Sequence, residues 1–244
     1  MLSGAGNALI AKAAVLSDFD VVVIAGDHLD VASSVDGGVQ IVVILKYLKR
    51  LMGCTRILVS SGNHDLDARD DSGEKVARWM NKVRQMGIPT DGDTVMLGST
   101  LVTICPWWDG PNAKRAVHAQ IEGDATKPRK SWVWVYHAPP SGSPTCWDGK
   151  QFYGDTELVS WIETYKPDIV FAGHIHQAPF MPGGSWAVRI GPTWVFRCST
   201  VASRSDQRRP TSSSILKRAR LHGSRWPAPK RRSSTCRCVA RCRR

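Results

Sequence analysis

Four times along this chain a short run of apolar, β-branched or aromatic residues ends on side chains able to ligate a metal. Asp27 follows VVVIAG at 21–26, and Asn63 and His64 follow ILVSSG at 57–62. His137 follows WVWVY at 132–136, and His174 and His176 follow DIVFAG at 168–173. A continuous β-branched run such as 21–25 reads as a strand buried on both faces of a sheet. In open α/β sheets the loops at the carboxyl ends of strands converge on one crevice, so the four ends are predicted to bring their polar side chains to a single rim. Gly26, Gly62 and Gly173 fit that placement, because a residue without Cβ lets the chain turn sharply and aim the next side chain inward.

The segments between these runs alternate in type. Residues 7–16 (NALIAKAAVL) and 39–52 carry apolar residues at helical spacing, and 74–86 and 157–165 read as further helices. Residues 95–105 hold two short strand signals around Gly98, and 186–196 a pair of strands around Gly191-Pro192. Helices alternating with strands, then strand pairs, predict α/β layers with at least one mixed sheet.

Composition sets the outer limits. A chain of 244 residues can bury a sizeable core. The formal charge of +12 is unevenly spread: 14 of the 33 basic residues but one of the 21 acidic residues follow Thr200, which leaves 19 basic against 20 acidic before it. The predicted domain at 1–199 is therefore near neutral, and the high pI belongs to a basic tail at 200–244. That tail is rich in Arg, Ser and Pro, cannot bury enough apolar surface to offset its ordering entropy, and is expected to be disordered or to arise from a shifted reading frame. A nucleic-acid arm is the disfavoured reading of it. The longest apolar stretches, 21–25 and 41–45, fall far below the roughly 20 residues that span a bilayer. With no signal-like N-terminus, a cytoplasmic protein without a membrane partner is expected. Cys54, Cys105, Cys146 and Cys198 are scattered singly, which argues against a disulfide framework.

Single residues in this set have ordinary explanations. An Asp after a strand is usually a turn or cap residue. His28 adjoins Asp27 but leaves the strand toward the opposite face, so no role is assigned to it, nor to His118 or His222. The set is different in weight, since four of seven histidines stand at strand ends in company with Asp27 and Asn63.

Gly26-Asp27, Gly62-Asn63-His64-Asp65, His137 within His-Ala-Pro-Pro, and Gly173-His174-Ile175-His176 resemble, in order and spacing, the calcineurin-like metallophosphoesterases. The resemblance covers roughly residues 2–196. It implies an α/β/β/α sandwich of four layers with mixed sheets, two divalent metal ions drawn from Mn, Fe, Zn or Ni, and hydrolysis of phosphomonoesters or phosphodiesters. By motif, Asp27 would bridge the metals, Asn63, His137 and His174 would complete the second metal's shell, and His176 would bind the first. His64 would face the phosphate and either protonate the leaving oxygen or stabilise its charge, with Asp65 orienting its imidazole. Such chemistry suits these residue types: two cations about 3.5–4 Å apart neutralise an anionic ester and lower the pKa of a bound water. Neutral imidazoles and an amide oxygen bind without cancelling the cationic charge.

Two departures qualify the resemblance. The family's Asp-x-His at the end of the first strand has no counterpart; Asp18-Phe19-Asp20 contains no histidine. The first metal then keeps only Asp27 and His176, and occupancy by one metal or none stays open. The expectation is that the first strand is missing because Met1 is internal to a longer protein. After Phe196 the chain leaves the Asn-Ala-Gly-like turn usual in the family. Three readings follow. A metal-dependent phosphohydrolase, with phosphodiesters preferred, leads; a non-catalytic phosphoesterase-like binding module and a nucleic-acid-binding protein follow it. Trp107, Trp108, Trp147 and Tyr153 lie between motifs, where an aromatic wall is one reading and core packing the commoner one.

Overall fold

A computed structural model describes residues 20–198. The predicted helix at 7–16, the departure at Asp18-Phe19 and the tail from 200 lie outside the described residues.

Two sheets carry the architecture. β1 (Val21–Ala25) and β2 (Arg56–Ser60) pair in parallel, with Val21 opposite Arg56 and Ala25 opposite Ser60. The larger sheet has six strands in the order β5-β6-β7-β8-β10-β9. These are β5 (Thr94–Leu97), β6 (Thr100–Ile104), β7 (Ser131–Val135), β8 (Ile169–Ala172), β9 (Ala187–Ile190) and β10 (Thr193–Arg197). β6, β7, β8 and β10 run parallel, while β5 and β9 are antiparallel edges, so the sheet is mixed as the sequence predicts. A small hairpin, β3 (Ala68–Arg69) with β4 (Lys75–Val76), stands apart.

Helices close the outer faces. α1 (Gly37–Met52) begins at Asp36, whose carboxylate accepts the N–H groups of Gly38 and Val39 at 2.8 and 3.2 Å, and ends with Lys49 and Arg50 at the negative end of its dipole. Its Ile41, Ile44, Leu48 and Leu51 pack with Ile57 and Val59 of β2 and with Trp79, Met80 and Val83 near α2 (Met80–Gln85). Between the sheets lie Leu58, Val102, Ile104 and Val135, with Val21, Val23 and Val133 against them. On the far face of the large sheet, Val117 and Ile121 of α3 (Pro111–Ala125) and Leu158, Trp161 and Ile162 of α4 (Thr156–Tyr165) cover Trp132, Trp134 and Val170. The apolar clusters thus succeed one another from helix to small sheet, small sheet to large sheet, and large sheet to helix. Among the described residues no helix is long and apolar enough to cross a membrane.

Three expectations change. β1 is half-buried along its length instead of buried on both faces, because among the described residues it pairs with β2 alone. The helix predicted at 74–86 shrinks to α2, since Asp70 and Gly73 close the β3–β4 turn and Glu74 is drawn elsewhere: its carboxylate accepts the N–H groups of Asn112 and Ala113, both at 2.8 Å, at the start of α3. The sequence pattern does not predict α3 itself; its weakly amphipathic sequence is held by that distant cap and by Pro111 in its first turn.

Arg197 ends β10 with its guanidinium buried and, among the described residues, all three of its nitrogens without a hydrogen-bond partner, and burial lowers its pKa to about 10. An unpaired buried charge is costly, so Arg197→Met is expected to stabilise the fold by about 1–3 kcal/mol, seen as a melting temperature raised by several degrees.

Candidate metal centre

The parallel strands point their carboxyl ends the same way, and the ligand-bearing loops meet there. Asp27 leaves β1 through Gly26, and the two adopt positive φ, +55° at Asp27 and +79° at Gly26. His174, after β8 and Gly173, has φ +68°. Left-handed backbone at Asp and His is uncommon and costs energy, and here it aims two donors inward. His137 lies two residues past the end of β7.

Asp27, His137 and His174 offer ligand atoms that all lie within 4.8 Å of one another. Asn63 Oδ1 is 2.9 Å from His174 Nδ1, which brings the amide to the same cluster. His176 stands farther out: its Nε2 is 3.9 Å from Asp27 Oδ2 and its side chain is 51% exposed. The five predicted ligands therefore share one neighbourhood, four of them tightly. His64 sits beside them, its main-chain N–H donating to Asp27 Oδ1 at 3.2 Å.

The donor set fits a cation. His137 Nδ1 donates to the carbonyl of Ala25 at 2.7 Å, so in the neutral ring the lone pair is on Nε2. Among the described residues that buried Nε2 has no hydrogen-bond partner, although Asp27 Oδ2 lies 3.2 Å away. A lone pair facing a carboxylate oxygen is repulsive until a positive charge stands between them. Burial lowers the pKa of His174 to about 4, so this ring is neutral and free to ligate at neutral pH. Burial works against ionisation of Asp27, while the His137 and His176 imidazoles, whose Nε2 atoms lie 3.2 and 3.9 Å from Oδ2, favour it and hold the carboxyl below its usual range. The glycines complete the cradle. A Cβ on Gly26 would collide with the His137 ring, and one on Gly62 would come within 2.5 Å of Asp27 N and Oδ1.

Asp65 makes contacts other than those expected. Its Oδ1 accepts the N–H groups of His28 and Leu29 at 2.9 and 3.0 Å, and its Oδ2 that of Gly62 at 2.8 Å. No hydrogen bond from Asp65 to the His64 imidazole is present among the described residues. It ties the loop after β1 to the loop after β2, and so reaches His64 through the backbone. His28, left without a role, bonds through Nε2 with Ser60 O at 2.9 Å and meets the edge of Trp79. Of the four aromatics between motifs, Trp107 lies against the centre, 5.6 Å from the His137 ring and 5.3 Å from that of His174. Trp108 donates to Tyr136 Oη instead, and Trp147 to the carbonyl of Pro182.

Sequence reasoning missed two supports. Asp91 Oδ1 accepts Ser61 N–H at 2.7 Å, bracing the loop that carries Asn63. Asp155 caps α4 through Glu157 N–H and accepts from Tyr136 Oη, fastening the strand end before His137. Both act across long sequence separations; only the cap, an Asp ahead of Thr-Glu, leaves a local signal.

The sequence matches the calcineurin-like phosphoesterase family over residues 7–178, more than half the chain. The chain belongs to that family. As a calcineurin-like phosphoesterase it also has likenesses among solved structures. One crystal structure is 16% identical, with 78% of this chain and 84% of the other covered and a TM-score of 0.54. A second, the crystal structure of TT1561 of Thermus thermophilus, is 12% identical, with 79% and 82% covered and a TM-score of 0.54. At such identities the likeness speaks for the fold. No curated protein matches the sequence. The phosphoesterase family binds divalent metals, in keeping with the donor cluster at Asp27, His137 and His174.

Two outcomes are expected. Gly62→Ala, which forces a methyl group into Asp27, should weaken Mn²⁺ or Zn²⁺ binding by about tenfold or more in calorimetric titration. Burial raises the Asp91 pKa to about 6, with the Ser61 hydrogen bonds only partly opposing it. The folded state then keeps a proton that the unfolded chain releases near 3.8, so this group's contribution is full at low pH and is lost as pH rises through about 6. Asp91→Asn should melt above the parent protein at pH 7, with the difference vanishing toward pH 4.

Proposed function

We propose that this protein is a hydrolase of phosphate esters, with phosphodiesters preferred, working through divalent metal bound by Asp27, Asn63, His137 and His174, with His176 at its margin. The reading is carried by one observation: the ligand atoms of Asp27, His137 and His174 converge within 4.8 Å of one another at the meeting point of the strand ends. A divalent ion bound there would supply positive charge to the ester and acidify water. Mn, Fe, Zn and Ni all accept this mixture of carboxylate, amide and imidazole.

The chain's own groups then have separate tasks. Asp27 keeps a negative charge in a half-buried position, and its Oδ1 is oriented by His64 N–H. His137 is held in one tautomer by Ala25 O, so its donor atom stays aimed at Asp27. His64 is half-buried at the one-turn helix Asn63–Asp65, next to the donors yet not among them. That position suits a side chain that holds a proton for the leaving oxygen or steadies its developing charge. Asp65 keeps this turn in place through Gly62 N–H.

A non-catalytic module holding a single ion is the second reading, favoured by the exposure of His176 and by its place outside the one tight donor group found among the described residues.

Hydrolysis of bis-p-nitrophenyl phosphate in added Mn²⁺ tests both. The expected result is turnover that His64→Ala lowers by about 10²–10⁴-fold with Mn²⁺ affinity retained. Folded, Mn²⁺-bound protein with no turnover would instead support the binding module.

A further inference from the structure

The metal centre borders a tryptophan that the proposed chemistry does not use. Trp107 lies three residues past the end of β6, in Cys105-Pro106-Trp107-Trp108. β6 pairs in parallel with β7, so this loop emerges beside the one that starts at His137. Its main-chain N–H donates to Ser61 Oγ at 2.9 Å, and Ser61 N–H donates to Asp91 Oδ1 at 2.7 Å. The Trp107 backbone, on the large sheet, is thereby fastened to the end of β2 in the small sheet, two residues from Asn63.

The indole uses that anchorage. Its ring meets His137 at 5.6 Å and 72°, edge to face, and His174 at 5.3 Å and 41°. The two imidazoles are 5.5 Å apart and inclined by 69°, so the three rings form a closed triangle. Edge-to-face and tilted packing of this kind opposes rotation of each ring about its last side-chain torsion. The two histidines differ in how much they need it. His137 has a main-chain acceptor, Ala25 O, that fixes its ring independently of any ion. The described partners of the His174 ring are Asn63, His137 and Trp107, and of these Asn63 and His137 belong to the donor set itself. Trp107 is the support for His174 that comes from outside the donors.

We propose that Trp107 is a positioning residue of the metal centre, its indole holding the His137 and His174 imidazoles at the mutual angle their shared ion requires. The inference rests on the reading of these two histidines as ligands. Trp107 touches no reacting atom in this role; it acts through the rings it packs against, as outer-layer partners of ligating histidines do.

Titration of the full chain with Co²⁺ tests it, read by calorimetry and by the visible absorption of the bound ion, which reports ligand geometry. Trp107→Leu keeps apolar volume without a ring and should bind Co²⁺ about 10- to 100-fold more weakly with an altered spectrum. Trp107→Phe keeps a ring and should restore the affinity to within about threefold and the spectrum to the parent's form. Co²⁺ should also quench the tryptophan fluorescence of the parent more than that of Trp107→Phe, because Trp107 is the indole against the site; this comparison does not depend on how the Leu variant folds. Wild-type affinity and spectrum in Trp107→Leu, or equal quenching in parent and Trp107→Phe, would overturn the proposal. So would a Trp107→Leu variant that changes only KM for bis-p-nitrophenyl phosphate, which would make the indole a substrate contact. Co²⁺ binding without hydrolysis in the parent would remove the hydrolase reading and leave this one standing, whereas a parent that binds no Co²⁺ would remove both.

Discussion

Of the hydrogen bonds that join the two sheets at the point where chemistry is possible, the one on which the others depend runs from His137 Nδ1 to the carbonyl of Ala25 at 2.7 Å. Ala25 is the last residue of β1 and His137 follows the residue after β7, so the bond spans from the small sheet to the large one at their carboxyl ends. It needs close approach, and glycine supplies it from three sides. Cβ atoms at Gly26 or Gly62 would overlap His137, and one at Gly173 would crowd Ala25 O at 3.0 Å. The same bond decides the tautomer of His137. Because a carbonyl only accepts, Nδ1 carries a proton, and Nε2 is the atom left to face Asp27. Sheet packing and ligand chemistry are therefore one constraint, since any shift between β1 and β7 long enough to break the bond would also free the imidazole to turn its proton toward the carboxylate.

The backbone around this bond carries strain in a revealing place. Among the described residues three that are not glycine have positive φ: Asp27, His174 and Lys166. Lys166 ends α4 in the left-handed conformation common at helix C-termini. The other two are donors. A left-handed Asp or His costs of order 1–3 kcal/mol, and such cost persists only where surrounding structure over-determines it. Here Gly26 before Asp27 and Gly173 before His174 make the turns, while Asp65 closes the loop after Asp27 by accepting two of its N–H groups.

Much of this was legible in the sequence because it was written in strand ends. The runs at 21–25, 57–60, 132–136 and 168–172 appear as β1, β2, β7 and β8 within a residue of their predicted limits, and apolar β-branched runs leave few alternatives. The donors Asp27, Asn63, His137 and His174 came together because parallel strands send their loops to one side. What was illegible depended on distant partners. Residues 74–86 have helical composition, but Glu74 caps α3 from 38 residues away and the segment before α2 becomes a hairpin. Asp65 looked like the natural partner of its neighbour His64, yet main-chain donors at His28, Leu29 and Gly62 take both of its oxygens. Local sequence cannot rank a side-chain acceptor's offers when the competing donors come from another strand's loop.

His176 shows how far one sheet rim can discriminate among similar residues. It is two positions from His174, in the same Gly-His-Ile-His stretch, yet its ring is half out in solvent and 3.9 Å from Asp27. Ile175 between them explains the separation: its side chain is buried against Cys146 and Ala178, which pins the segment and sends the two flanking histidines to different depths. His174 is desolvated, with its pKa lowered to about 4. His176, 51% exposed, loses less solvation than the more deeply buried His174. A deep, desolvated donor beside a shallow, exposed one gives the rim two unequal positions, and the tight donor group at Asp27, His137 and His174 is the one that the packing of the fold has already assembled.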